Sequence, residues 1–307
     1  MQTILGSSGV IGTGLAQELP KYTDKIRLVS RSPKKINSTD ELFPADLTNR
    51  EKIFQAVEGS EVVYLTVGLA YDKKVWCELW PKIMQNVIDA CEKYNSKLVF
   101  FDNVYSYGKV NGWMTEETPH NPTSEKGNVR KQISEMILDD VRKGKLQAII
   151  ARTADFYKPK APSFINIMVL ENFKNGKRPM WLVNDKAKHS LTYTPDAAKA
   201  TALLGNSAAA FNQIWHLPTD RNALTGKETI ELCAKEFGRQ PKYSVLPKWM
   251  LIIIGMFNKI LKENNEMLYQ YDSDYLFDST KFEKKFNIKP TSYAEGIKET
   301  AKWMKEK

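Results

Sequence analysis

The sequence predicts an α/β fold, a doubly wound parallel sheet, with a smaller, mainly helical lobe toward the C-terminus. Three observations predict it. The chain opens with an apolar run, TILGSS, that passes at Gly6, Gly9 and Gly12 into a helix-like run, VIGTGLAQELP. Continuous apolar stretches then alternate with amphipathic ones, as strands covered on both faces alternate with the helices that cover them. From about Ala154 the alternation loosens, interrupted by Pro159, Pro162, Pro179, Pro195 and Pro218.

Taken in order, TILGSS is the first strand and VIGTGLAQELP its helix. KIRLVSR is the second strand, and a further short strand precedes PADLTN. NREKIFQAVEGS reads as a helix, EVVYLTVG as a long apolar strand, and WPKIMQNVIDACEKYN as a helix. KLVFFDNVYSYG is a strand entering a loop, NVRKQISEMILDDVRKG a long amphipathic helix, and LQAIIAR the next strand. Right-handed crossovers fold such a series into a Rossmann-like sheet. Later, SFINIMVLENFKNG reads as a helix ended by Gly176, DAAKATALLG as a short helix, FNQIWHLPT as a strand, and LTGKETIELCAKEFG as a helix capped by Thr225. The expected division is a dinucleotide-binding domain over 1–158, with returns to the sheet near 187–218, and a mixed region over 159–307 that contributes the substrate lobe.

Composition excludes several classes. The 307 residues are 42% apolar and 26% charged, as in ordinary globular proteins. Cys77, Cys91 and Cys233 lack CxxC spacing, and His120, His189 and His216 are scattered. Neither a disulfide scaffold nor a metal site is expected. The net charge of +9, from 45 Lys and Arg against 36 Asp and Glu, is spread along the chain. It suits a binder of phosphorylated small molecules better than a nucleic-acid protein. With Ile4 already in a strand, no room is left for a signal peptide. WMLIIIGMF, Trp249 to Phe257, is too short to span a bilayer, so a cytoplasmic location is expected. That stretch reads as a buried helix, a membrane-surface or partner-binding element, or, through Trp249, Met250, Ile252, Ile253 and Phe257 together with Trp181, an apolar pocket wall or a dimer surface. The helices around 76–94 and 125–143 are further candidates for a homodimer contact.

The glycine turn carries chemistry. A phosphate at the end of a parallel strand needs a tight turn and open backbone N–H groups, which glycine permits. Gly6, Gly9 and Gly12 fit those roles, Ser7 and Ser8 add hydroxyl donors, and Val10 and Ile11 open the helix. The spacing is GxxGxxG. NAD sites place an acid at the end of the second strand for the ribose hydroxyls. Here the strand ends LVSRSPKK, with Arg31, Lys34 and Lys35. Arginine pairs bidentately with a 2′-phosphate, so NADP(H) is expected over NAD(H). Asp46 and Leu47 are expected beside the adenine, and Thr66, Val67 and Gly68 along the cofactor crevice.

Together these pieces resemble the short-chain dehydrogenase/reductase superfamily, in its extended, epimerase/dehydratase-like branch. GSSGVIG resembles its glycine motif, ADLTN its adenine-side element, and VFFDNVYSYG its strand and serine loop. RTADFYKP, HSLTYTPDAAKA, IWHLPTDRNALTGKETIELCAKEFG and KFNIKPTSYAEGIKET resemble its later segments. The resemblance covers almost the whole chain. It implies a Ser/Thr, Tyr and Lys site in which the tyrosine exchanges a proton with substrate, the lysine holds the nicotinamide ribose, and the serine steadies substrate. Counting from Tyr107 and Gly108, the serine position holds Asn103. The YxxxK site falls on GNVRK, with Gly127 at the tyrosine and Lys131 at the lysine. Lys131 is therefore expected to hold the ribose, with Arg130 as competitor, and Asn103 to donate to a carbonyl oxygen. Asp102, Tyr105 and Tyr157 are candidate proton donors. Asp155 occupies the position of a family asparagine.

Three functions stay open. One is an NADP-dependent oxidoreductase that passes hydride to or from a small carbonyl or enone substrate with a non-standard proton donor. Another is a nucleotide-sugar epimerase or dehydratase. The last is a dinucleotide-binding regulatory or non-catalytic protein.

Overall fold

The unbroken apolar runs are the central strands. β1 (Gln2–Leu5), β4 (Val62–Leu65) and β6 (Ala148–Thr153) are buried at every residue. A computed structural model of the chain describes residues 1–158, 161 and 163–306. Pro159 and Pro162 lie outside the described residues. Between these strands come α1 (Val10–Glu18), β2 (Ile26–Ser30), β3 (Glu41–Pro44), α2 (Arg50–Val57), α3 (Lys73–Tyr94), β5 (Lys97–Asn103) and α4 (Glu125–Arg142). After β6 the chain adds α5 (Thr194–Gly205) and β7 (Gln213–His216).

The seven strands form one parallel sheet in the order β7-β6-β5-β4-β1-β2-β3. Strand order reverses at β1 and β4, the switch point beside which doubly wound sheets bind ligands. Leu5 pairs with Val29 on one side and Leu65 on the other. The residues that follow, Gly6, Ser30 and Thr66, therefore line up along one edge of the sheet. β3 is the exposed outer strand, and its charge and proline, Glu41 and Pro44, suit an edge.

The chain divides into two units, each discontinuous in sequence. The first takes residues 1–106, 125–152 and 197–217; the second takes 107–124, 153–196 and 218–307. The first contains the sheet and a core built from α2, α3 and α4 against it, with Ile53, Trp80, Val87, Phe100, Ile133 and Ile150 among its buried members. Within the expected return at 187–218, β7 joins the sheet, whereas Lys188–His189 and Leu191–Tyr193 form two-stranded pairs in the second unit. That unit has short pairings throughout, and a core where Trp181, Ile230 and Ile297 meet. Its helix Gly226–Phe237 opens on the expected cap: Thr225 accepts from the Glu228 amide, and Glu228 answers with its carboxylate.

Two helices differ from the sequence reading. α3 begins at Lys73, not beside Pro81, because Asp72 caps it by accepting from the Lys74 and Val75 amides. Proline at a first turn is the common case; here it lies in the interior. The helix read from Ser163 to Gly176 is a wide π-type turn over Ile165–Leu170 followed by Glu171–Lys174, with Gly176 at φ +66°.

Candidate functional site

The turn after β1 is tied on both sides. The Gly6 and Ser7 amides donate to the Val29 carbonyl, and the Thr66 hydroxyl donates toward the carbonyls of Leu5 and Gly6. Gly6 has φ +101°, and a Cβ there would lie 2.5 Å from the Val67 amide nitrogen. At Gly12 a Cβ would lie 2.5 Å from the Gly6 carbonyl oxygen and 2.8 Å from Ser7 Cα, so glycine is what lets α1 pack this closely. Gly9 differs: a Cβ there would meet nothing nearer than 3.5 Å. It is the N-cap of α1 and supplies no side-chain cap. The amides of Val10, Ile11 and Gly12 thus open onto the turn, at the positive end of the helix dipole. The buried Ser7 hydroxyl has no hydrogen-bond partner, while the Ser7 carbonyl accepts from Thr13. These features fit a phosphate: backbone donors, an unused hydroxyl and no Cβ in the approach at Gly9.

The neighbouring strand ends complete the rim. Ser8 and Ser30 share a hydrogen bond of 2.7 Å between their hydroxyls. Arg31 and Lys34 are exposed just beyond. Asp46 accepts from both the amide and hydroxyl of Thr48, which hold its carboxyl below the usual aspartate range, with the Arg31 charge helping. Leu47 turns its side chain into the core. Val67 is half-buried, and Gly68 is exposed with open space where a Cβ would be.

Beyond β5 the residues sort differently from the sequence reading. Asp102 is buried, with Arg152 Nε at 3.1 Å, the Ser134 hydroxyl at 3.3 Å and Arg130 Nη1 at 3.4 Å. It is the counter-ion of two buried arginines, an arrangement that accounts for its presence without an acid–base role. Asn103 uses its side-chain oxygen to accept from the Tyr105 amide, so the group it offers outward is its NH2. Tyr105 stacks on Trp76 with centroids 6.2 Å apart.

Helical phase separates Lys131 from the inward stripe of α4. That stripe contains Lys126, Arg130, Ile133, Ser134 and Ile137. Lys131 lies one residue off it, with its side chain 40% exposed and 3.9 Å from Glu135. Lys126 and Arg130 lie one turn apart on the buried face; Gly127 is buried beside Lys126, while Lys131, one turn after it, is part-exposed. Lys126 stands over the Tyr71 ring and Arg130 over Trp76 and Trp80. Burial pulls the Arg130 pKa down, and Asp102 opposes that. Tyr71 and Trp76 meet edge to face, so Lys126, Arg130, Tyr105 and Asn103 belong to one cluster. The sequence reading missed Lys126. The signal for it was the apolar pair Ile133 and Ile137, which fixes the helix phase when extended backward.

In the second unit, Tyr157 is core. It packs against Tyr193 and Tyr293, its hydroxyl has no partner, and burial drives its pKa up. A phenol so placed resists ionisation and has no room for substrate: a Cβ at Gly296 would lie 2.1 Å from its oxygen. Asp155 accepts from Tyr271 (3.1 Å) and lies 3.0 Å from His189 Nε2. Trp181 is buried in the second core, while Trp249, Ile252, Ile253 and Phe257 are exposed. Among the described residues no group of His, Cys, Asp and Glu has metal-ligand clustering, and no helix is long and apolar enough to cross a membrane.

The comparisons agree with this fold. The profile of the NAD dependent epimerase/dehydratase family matches residues 3–215. No curated protein matches the chain. A dTDP-glucose 4,6-dehydratase from Streptomyces venezuelae, solved with NAD, is similar over 100% of this chain and 97% of its own, at 14% identity and a TM-score of 0.79. The UDP-glucose 4-epimerase of Thermus thermophilus, also with NAD, covers 99% of both chains at 17% identity and a TM-score of 0.79. That of Thermotoga maritima, with UDP-glucose, covers 100% of this chain and 99% of its own at 17% identity and 0.81. At these identities the likeness is one of fold.

Proposed function

This chain belongs to the NAD-dependent epimerase/dehydratase family, and on that premise we propose that it is a nicotinamide-dinucleotide-dependent oxidoreductase. In this reading it prefers NADP(H) and acts on a small carbonyl or conjugated enone substrate. The observation that carries the reading is the turn at Gly6, Gly9 and Gly12, with open amides and an unpartnered Ser7 hydroxyl at the sheet's switch point. Those groups would hold the diphosphate, Arg31 and Lys34 the 2′-phosphate, and Asp46 the adenosine side. When bound, the nicotinamide gives or takes a hydride.

The chain's own residues then support substrate through hydrogen-bond donation. Asn103 presents its NH2, a donor with the polarity that stabilises a developing oxyanion or enolate. Lys131, part-exposed on α4, would hold the nicotinamide ribose. An enolate takes its proton from water, so an enone asks less of the site than an isolated ketone. The test is a titration of wild type and Arg31→Ala with NADPH and NADH, followed by turnover on aldehydes, ketones and enones. Tighter NADPH binding, lost selectively in the variant, and reduction of enones are expected. No binding of either nucleotide overturns the reading, and binding without turnover on any class leaves a dinucleotide-binding regulatory protein.

A second reading, a nucleotide-sugar epimerase or dehydratase, is favoured by the full-length likeness to such enzymes. Because those reactions recycle the nucleotide in place, it requires NAD(H) to be released when purified protein is denatured. It also requires binding of a sugar nucleotide.

A further inference from the structure

The second unit holds a carboxylate without a lysine or arginine partner. Asp155 opens the short strand Asp155–Tyr157, and its side chain is 21% exposed. Oδ2 accepts from the Tyr271 hydroxyl at 3.1 Å and lies 3.0 Å from His189 Nε2. Among the described residues Oδ1 has no hydrogen-bond partner, and His189 is the only basic side chain paired with the carboxylate. The charge is particular to this chain, because the family resemblance expects a neutral asparagine at this position.

Aromatic rings wall the space beside it. The His189 ring lies parallel to those of Tyr271 and Tyr275, with centroids 4.7 and 4.6 Å away. Phe164 meets Trp181 and Tyr271 edge to face, at 5.6 and 5.4 Å. With Asp155, the rings of Phe164, Trp181, His189 and Tyr271 line one cleft that has about 200 Å³ of empty space. Trp181, His189 and Tyr271 are buried, whereas Asp155 and Phe164 are half-buried, so the mouth lies beside the carboxylate. All of these residues belong to the second unit. Clefts that take drug-sized ligands have roughly 300–1,000 Å³, so this one suits the head of a molecule and not the whole of one.

Charge and surface select the occupant. Aromatic faces attract a cation, most strongly when it is desolvated, and Asp155 supplies the opposite charge. An anion would be repelled, and an uncharged head would leave a half-buried carboxylate without a partner. Among the described residues no group of His, Cys, Asp and Glu clusters as metal ligands do. A methylated ammonium offers both what the rings contact and what the acid pairs with.

We propose that the cleft beside Asp155 binds the methylated ammonium head of a small organic cation. Asp155 is its counter-ion, and Phe164, Trp181 and Tyr271 are its walls. The site goes beyond the dinucleotide reading and needs no nucleotide.

Choline is the probe, and 3,3-dimethylbutan-1-ol, the same shape without the charge, is its control. Each is titrated into full-length protein without nucleotide at low salt. Binding is read by NMR from the methyl protons of the probe, which enclosing rings shift upfield. Choline is expected to bind at least tenfold tighter than the alcohol. Asp155→Asn keeps an acceptor for Tyr271 and should lower choline affinity at least tenfold, with thermal unfolding as in wild type. Phe164→Leu keeps apolar volume, removes one ring and should lower it at least threefold. No shift with choline overturns the proposal, and so does equal binding of choline and the alcohol. Displacement of choline by an equal concentration of potassium chloride marks a bare ion site and overturns the role of the rings. If Asp155→Asn unfolds early, the comparison of the two probes on wild type decides. Loss of the dinucleotide reading would leave this titration unchanged, so the two can fail separately.

Discussion

Gly9 and Gly12 look equivalent in sequence, yet the structure assigns them different work, and two substitutions separate it. A Cβ at Gly12 would sit 2.5 Å from the Gly6 carbonyl oxygen and 2.8 Å from Ser7 Cα. Both neighbours are backbone, so α1 must move. Overpacking of this kind costs about 1–3 kcal/mol. At roughly 2–4 °C per kcal/mol for a domain of this size, Gly12→Ala should lower the melting temperature by several degrees. Gly9 is an N-cap with φ −76° and ψ 166°, extended backbone that any residue adopts. Serine there has its nearest neighbour at an ordinary 3.5 Å and is a favoured cap. Gly9→Ser should therefore unfold no earlier than wild type. Its hydroxyl would occupy the first-turn amides and stand in the phosphate's approach, so NADPH binding should fall at least ~10-fold, about 1.4 kcal/mol. Thermal unfolding without ligand and a fluorescence titration read the two effects separately. If Gly9→Ser binds NADPH as wild type does, the turn is structural and the cofactor site is elsewhere.

Other outcomes follow from particular contacts. Asp102→Ala strands Arg130 and Arg152 in the core, so urea unfolding should show a loss of about 3–5 kcal/mol; a loss under about 1 kcal/mol would contradict the counter-ion role. Tyr157→Phe removes a buried hydroxyl without a partner, and should be neutral or stabilising by up to about 1 kcal/mol, with NADPH binding unchanged; a large loss of activity would restore Tyr157 as a candidate donor. Thr225→Ala should cost about 0.5–2 kcal/mol by removing the cap. Thr225 also holds the Glu228 carboxyl below its usual range. A depressed folded pKa gives stability that is present above the unfolded value and is lost as pH falls through the folded one. The Thr225 amide, the larger cause, survives in the variant, and the bond from the Glu228 amide to the Thr225 hydroxyl does not titrate. Only the hydroxyl–carboxylate bond is lost in acid, so the gap in melting temperature should narrow there without closing.

What was legible in the sequence was local. The glycine spacing, the alternation of strands and helices through β6, and the Thr225 cap all depend on residues within one or two turns of each other. The start of α3 was less so, because Asp72 lies beyond a proline that itself resembles a helix start. Partners distant in sequence decided the rest. Asp102 looked like an acid until Arg152, 50 residues away, occupied it. Tyr157 looked available until Gly296 and two further tyrosines enclosed it. Lys131 was placed by the YxxxK spacing of GNVRK, which is legible in the sequence. That the phase of α4 also turns Lys126 and Arg130 inward was not, because that phase is set by which residues face the sheet.

The interleaving of the two units bears on how the chain is made. β5 finds its outer neighbour in β6, which starts at Ala148, and β7 follows only at Gln213. At roughly 5–20 residues per second of synthesis, the β5 edge of a nascent chain waits several seconds for β6, and the sheet waits longer again for its last strand. During that interval the growing chain presents the open outer edge of β5, with Phe100 and Asp102 near its end, the kind of surface that chaperones cover. A fragment ending at residue 158 would keep β6 but never receive β7, so it would emerge with its sheet incomplete at that edge.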